Sequence, residues 1–251
     1  MKNTNLLCWN SSKKSLDEIP FKNILDLSLL YGLDEQISKI KKNTQNFLEG
    51  YSYNHALLWG VRGSGKSSII RGILSEFSKT NEFTTLEVNS EDISDLNKIF
   101  LNFNFKNKIV IFIDDLSFEQ NDRRYIQFKS FLEGSFYNSK FPFLIYVTTN
   151  RRHLMKRDML DNERSSAISQ DEGVEEKLSL SDRFGLWVSF HNLSKDDFIN
   201  IIKNYCRYYE ITFNDEIKDK ALKWIFSRGN RTGRSAYQFF KEYCSTKKIK
   251  L

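Results

Sequence analysis

The segment Gly60-Val61-Arg62-Gly63-Ser64-Gly65-Lys66-Ser67 constrains this chain more than any other. Its three glycines free the backbone for positive-φ turns that other residues resist. Ala56-Leu57-Leu58-Trp59 enters the segment as an apolar strand, and Ser67 to Phe77 leaves it with helical spacing. A strand that turns tightly into a helix is the first half of a crossover unit, and crossover units build parallel sheets.

The middle of the chain continues this rhythm. Thr85-Leu86-Glu87-Val88, Ile109 to Ile113, Phe143 to Thr148 and Trp187 to Phe190 are short apolar runs, and Tyr125 to Leu132 reads as a helix. Because the runs are continuously apolar rather than alternating, the strands are expected to be covered on both faces. The predicted fold class is therefore α/β, a parallel sheet flanked by helices. Ahead of it, Asp34 to Leu48 reads as a helix closed by Gly50. Residues 1 to 28 read as a polar extension packed loosely on the main body. Arg151 to Lys177 is charged and short of core residues, so it reads as a surface excursion. After Phe190 the pattern is purely helical, over Asp196 to Tyr209, Asp215 to Arg228 and Arg234 to Tyr243.

Composition excludes several classes. Hydrophobic residues are 40% and charged residues 28% of the 251, which is a globular balance rather than a disordered one. Three cysteines and three histidines, none at metal-ligand spacing, give neither a disulfide framework nor a metal cluster. The longest apolar stretches have the length of strands, and the N-terminus lacks the apolar run of a signal peptide. A cytoplasmic protein without a membrane partner is expected. The formal charge of +6 is uneven: from Leu193 to Leu251 there are 13 Lys or Arg against 7 Asp or Glu, and the remainder of the chain holds 25 of each. A basic C-terminal segment could attract nucleic acid or another acidic partner, or be a solvated helical surface.

The glycine-rich segment matches G-x-x-x-x-G-K-[ST], the loop whose backbone N–H groups curl around phosphates at a helix N-terminus. In that reading Gly60, Val61, Arg62, Gly63, Ser64, Gly65, Lys66, Ser67 and Ser68 cradle a nucleoside triphosphate. Lys66 neutralises the β- and γ-phosphates, and the Ser67 hydroxyl coordinates Mg²⁺. The apolar strand ending in Asp114-Asp115 supplies a metal-orienting carboxylate, Asp114, and a water-polarising one, Asp115. Asn150 ends the next apolar strand, where a polar side chain could hold that water beside the γ-phosphate. Arg183, just before the last strand, is either a surface residue or stands where ring-forming ATPases have an arginine that reaches a neighbouring subunit's nucleotide. Arg234, at the start of the last helix, is placed to reach back to the γ-phosphate.

This succession of motifs resembles the AAA+ ATPases. The fuller runs Leu58 to Ser68, Ile113-Asp114-Asp115-Leu116-Ser117-Phe118-Glu119, Thr149-Asn150-Arg151-Arg152-His153-Leu154 and Val174 to Trp187 resemble a bacterial AAA+ ATP-binding family, domain of unknown function 815. The resemblance spans about Leu29 to Phe240. It implies ATP and Mg²⁺ as cofactors, a nucleotide-binding core over residues 29–192, a helical lid over 193–251, and an adenine pocket at Tyr31-Gly32-Leu33. It also implies assembly into a homo-oligomeric ring through Arg183.

Three readings of function follow. The first is an Mg²⁺-dependent ATPase acting as an oligomeric motor or switch. The second is a nucleotide-dependent adaptor with little turnover, since Asp115 has a shorter reach than the commoner Glu. The third is a nucleic-acid-handling module resembling initiators and helicase loaders, which carry Asp-Asp at this place. The client, protein or nucleic acid, is not named by the sequence. Asn89-Ser90-Glu91-Asp92-Ile93 stands where a threading unfoldase would have an aromatic-glycine pore loop, which argues against that activity.

Overall fold

Among the described residues seven strands form one sheet, and alternate residues along its central strands face different helical layers. In the computed structural model, which describes residues 5–21, 24–119, 122–133, 142–152, 154 and 180–251, the sheet order is β2-β1-β4-β5-β6-β3-β7. The strands are β1 (Asn5–Asn10), β2 (Ser15–Ile19), β3 (Ala56–Gly60), β4 (Thr84–Asn89), β5 (Ile109–Asp114), β6 (Phe143–Thr149) and β7 (Leu186–Phe190). All neighbours pair in parallel except β1 with β2. Ile109, Ile111 and Ile113 of β5 join a core with Trp9, Leu57, Phe128 and Phe131. The intervening Val110 and Phe112 pack with Ile40, Leu58, Ile70 and Ile73 on the other face. The period of two is thus retained inside runs that read as uniformly apolar, because both faces are covered.

Helices α1 (Asp34–Glu49) and α2 (Lys66–Ser78) cover the second face, while α3 (Leu96–Asn102) and α4 (Arg123–Glu133) cover the first. Gly50 closes α1 in the left-handed conformation at φ 89°, the role its position suggested. Helix α3 was not foreseen; its Leu96, Ile99 and Phe100 are buried, but seven residues are too few for a periodic signal.

The expectation of a loose extension at residues 1–28 is corrected. β1 adds to the sheet beside β4, with Leu6 opposite Thr85 and Leu7 opposite Leu86, and β2 folds back as an antiparallel edge. Trp9 is 5% exposed and its indole N–H donates to Asp95 Oδ2 at 3.2 Å. The polar residues that suggested looseness belong to an edge, where one side of the hairpin meets solvent.

The C-terminal helices α5 (Lys195–Tyr208), α6 (Asp215–Arg228) and α7 (Gly233–Thr246) have their own core, with Phe198, Ile202, Ile217, Ala221, Phe240 and Cys244 buried. Ser194 with Asp197 and Thr232 with Ser235 form capping boxes at the starts of α5 and α7, and Asn214 caps α6. The charged excursion Arg151 to Lys177 lies almost wholly outside the described residues. No helix among the described residues is long and apolar enough to cross a membrane.

Candidate nucleotide site

The glycine loop leaves β3 at the carboxyl edge of the sheet, where ligands of open parallel sheets bind. Gly60, Gly63 and Gly65 all have positive φ, at 129°, 78° and 102°. A Cβ on Gly60 would fall 2.0 Å from the Phe190 carbonyl oxygen, so β7 can lie against the loop only because the side chain is missing. The loop encloses Lys66, which is 6% exposed. Its Nζ donates to the carbonyls of Gly60 and Val61, each at 2.8 Å, and to Asn150 Oδ1 at 3.2 Å. Burial lowers the Lys66 pKa; Asp115 and Asp114 oppose that shift, and the Arg234 charge adds to it.

The two acids at the end of β5 have different surroundings. Asp114 Oδ1 accepts from the Ser67 hydroxyl at 2.6 Å and from the Thr148 hydroxyl at 2.5 Å, and Oδ2 accepts from Arg71 at 3.3 Å. Asp115 adopts φ 54°, an uncommon conformation that Asp tolerates better than most residues, and its N–H donates to Thr148 Oγ1 at 2.9 Å. The Asn150 amide donates to Asp115 Oδ1 at 2.5 Å. Asn150 therefore joins Lys66 to Asp115, a bridge that exists because β6 pairs directly with β5 and with β3.

Above the loop lies a cleft of about 1240 Å³, roomy enough for a nucleotide. Arg62, Gly63, Ser64, Gly65, Lys66, Ser67 and Ser68 line it, together with Asp114, Asp115, Thr148 and Asn150. Gly60 and Val61 are not on its wall. The Val61 N–H donates to the Phe190 carbonyl at 3.1 Å, so this amide is occupied by β7. Tyr31 and Leu33 stand on the cleft wall, and Tyr205, Tyr208 and Tyr237 face it from α5 and α7. Arg234 also lines it, and its backbone N–H donates to the Gly63 carbonyl at 3.0 Å. The N-terminus of α7 thus rests directly on the glycine loop.

Arg183 is not at this cleft. It is half exposed on a short 3-10 turn (Ser181–Arg183), and its guanidinium meets Glu133 Oε1 at 2.8 Å at the end of α4. Sequence reasoning missed Thr148 and Arg71, although both touch Asp114. A strand threonine and a helix arginine carry no motif of their own; in the sequence Thr148 only closes the apolar run from Phe143.

The arrangement fits a triphosphate and a divalent cation on its own chemistry. A helix N-terminus with left-handed glycines offers N–H groups to phosphate, and the Ser64 hydroxyl is buried with no hydrogen-bond partner among the described residues. Ser67 and Asp114 bring a hydroxyl and a carboxylate together, the hard oxygen donors Mg²⁺ prefers.

No curated protein matches the sequence. Among solved structures, the fold is similar to the Thermotoga maritima RuvB Holliday junction branch migration motor, at 21% identity and TM-score 0.52, covering 86% of this chain and 64% of that one. It is also similar to the Aeropyrum pernix ORC1 protein in complex with DNA, at 13% identity and TM-score 0.56, covering 90% and 65%. A DNA replication initiation factor aligns at 16% identity and TM-score 0.51, covering 90% and 64%. This chain therefore spans less than two thirds of the length of each. At these identities the likeness speaks for the fold, which is of the AAA+ type. The family described as "Protein of unknown function (DUF815)" matches residues 2–247, nearly the whole chain, and the chain belongs to that family.

Proposed function

We propose that this protein binds ATP with Mg²⁺ in the cleft over the glycine loop and hydrolyses it as a nucleotide-dependent switch in an oligomer. The observation that carries the reading is the Lys66–Asn150–Asp115 bridge beneath the loop, alongside the Ser67–Asp114 contact. It couples the residue suited to hold a γ-phosphate to the residue suited to activate water. The loop amides and Lys66 bind and orient the phosphates, and Ser67 with Asp114 would hold the cation. When bound, Mg²⁺ would supply neutralisation of phosphate charge. Asp115 accepts the proton of the attacking water, and Asn150 fixes the side chain that does so. Arg234 links the phosphate end of the cleft to α7, and Arg183 serves the site of an adjoining copy in a ring.

The test is direct binding of ATP with Mg²⁺, by titration calorimetry, to the wild type and to Lys66→Ala. Binding should weaken by roughly two orders of magnitude, the scale of removing one partner of a buried charged contact. Equal affinity in the two proteins would remove the reading.

A second reading, an ATP-controlled adaptor with little turnover, is favoured by the tight hold of Asn150 on Asp115 and by the short reach of that aspartate. The basic C-terminal helices, and the association of RuvB with Holliday junctions and of ORC1 with DNA, favour nucleic acid as the client over protein. Phosphate release measured with and without DNA or RNA separates a stimulated ATPase from a silent adaptor. Nucleic-acid binding that weakens steeply with salt would support the acidic client.

A further inference from the structure

Arg71 projects from α2 toward the end of β5 and is shared between two carboxylates. Its Nη2 lies 2.7 Å from Glu87 Oε1 on β4 and 3.3 Å from Asp114 Oδ2 on β5, and its guanidinium sits 5.1 Å from the centre of the Phe112 ring. Burial alone would lower its pKa, but Glu87 and Asp114 raise it, so the group stays a fixed cation. Arg71 is on the same cleft wall as Lys66 and Ser67.

The consequence concerns how Asp114 can meet a metal. With Oδ2 turned to Arg71, Oδ1 is the oxygen that faces the Ser67 hydroxyl. A carboxylate free at both oxygens can swing to chelate through the pair. Ca²⁺ accepts that bidentate contact within its larger, irregular shell, whereas Mg²⁺ takes a strict octahedron and retains its waters. Holding one oxygen away therefore favours the smaller ion, and a partner outside the coordination shell tunes which metal the site accepts.

We infer that Arg71 is a positioning residue that makes the site selective for Mg²⁺ over Ca²⁺ by restraining Oδ2 of Asp114, with Glu87 anchoring the arginine from β4. This rests on the reading of Asp114 as the metal-orienting carboxylate.

The experiment measures binding of a fluorescent ATP analogue while Mg²⁺ or Ca²⁺ is titrated, and takes the ratio of the two half-saturating concentrations, with no turnover required. In Arg71→Met the preference for Mg²⁺ should fall by roughly tenfold, the scale of outer-shell changes at metal sites. Arg71→Lys, which keeps a donor on Oδ2, should restore part of it. An unchanged ratio in Arg71→Met overturns the proposal. Should that variant fail to fold, Glu87→Gln tests the link from the other side. It weakens the anchor that holds Arg71 against Oδ2 of Asp114, so the preference for Mg²⁺ should fall, by less than in Arg71→Met; an unchanged ratio overturns the proposal. Asp114→Asn separates the two levels: if it leaves the metal dependence of nucleotide binding untouched, the reading of Asp114 itself is wrong.

Discussion

The Ser67 hydroxyl donates to Asp114 Oδ1 at 2.6 Å across 47 residues of sequence. That contact joins the first turn of α2 to the end of β5, and it places the two groups best suited to a divalent cation at one point. Asp115, the next residue, turns instead toward Asn150, so adjacent acids face different partners.

This division of labour predicts separable effects. Asp115→Asn should retain ATP binding while steady-state phosphate release falls by roughly a hundredfold or more, the contribution of a positioned general base. Calorimetry and a phosphate-release assay on the same preparation check it. Loss of binding and turnover together would instead place Asp115 with the phosphate-holding groups.

Arg183 bears on assembly. Arg183→Ala should leave nucleotide binding by the isolated chain unchanged and lower turnover at concentrations where the protein oligomerises. The Arg183–Glu133 pair is 49% and 41% exposed, so its loss should cost no more than about 1 kcal/mol of stability. Turnover that stays at the wild-type level in the assembled protein would sink the idea of an arginine acting on a neighbouring site.

His55 predicts a pH dependence of folding. It stacks on Phe143, its Nδ1 accepts from the Ile145 N–H, and burial depresses its pKa from 6.5 to about 4. Between those values the unfolded chain binds the extra proton, so this contribution is complete above pH 6.5 and is lost as pH falls toward 4. Its size is roughly 3 kcal/mol over that window. Urea denaturation at pH 7 and pH 5 should show a smaller loss in His55→Asn than in the wild type.

The N-terminal hairpin predicts a core effect. Trp9 of β1 is buried in the core, so Trp9→Ala should cost about 3–5 kcal/mol in chemical denaturation. A loose extension would allow that substitution at less than about 0.5 kcal/mol.

Local signals reached a good part of this protein. A strand, three glycines and a helix in succession leave few backbone paths, so the loop at Gly60 to Ser67 was legible without any partner. The uniformly apolar runs at β5 and β6 identified buried parallel strands, and the helices after Phe190 declared themselves by spacing. Each of these is a property of neighbouring residues. The hairpin at Asn5–Ile19 was not legible, because β2 is a polar edge strand and the partner of β1, β4, lies far along the chain. Strand order settled the rest. With β5 between β4 and β6, Asp114 meets Thr148 on one side and Arg71, anchored by Glu87, on the other; with β6 beside β3, Asn150 reaches Lys66. The glycine loop was determined by the sequence itself, through backbone freedom and local hydrophobic pattern. Which side chains surround it, and that α7 rests on Gly63, was decided by tertiary packing, since such contacts depend on the order of the strands and not on the spacing of residues.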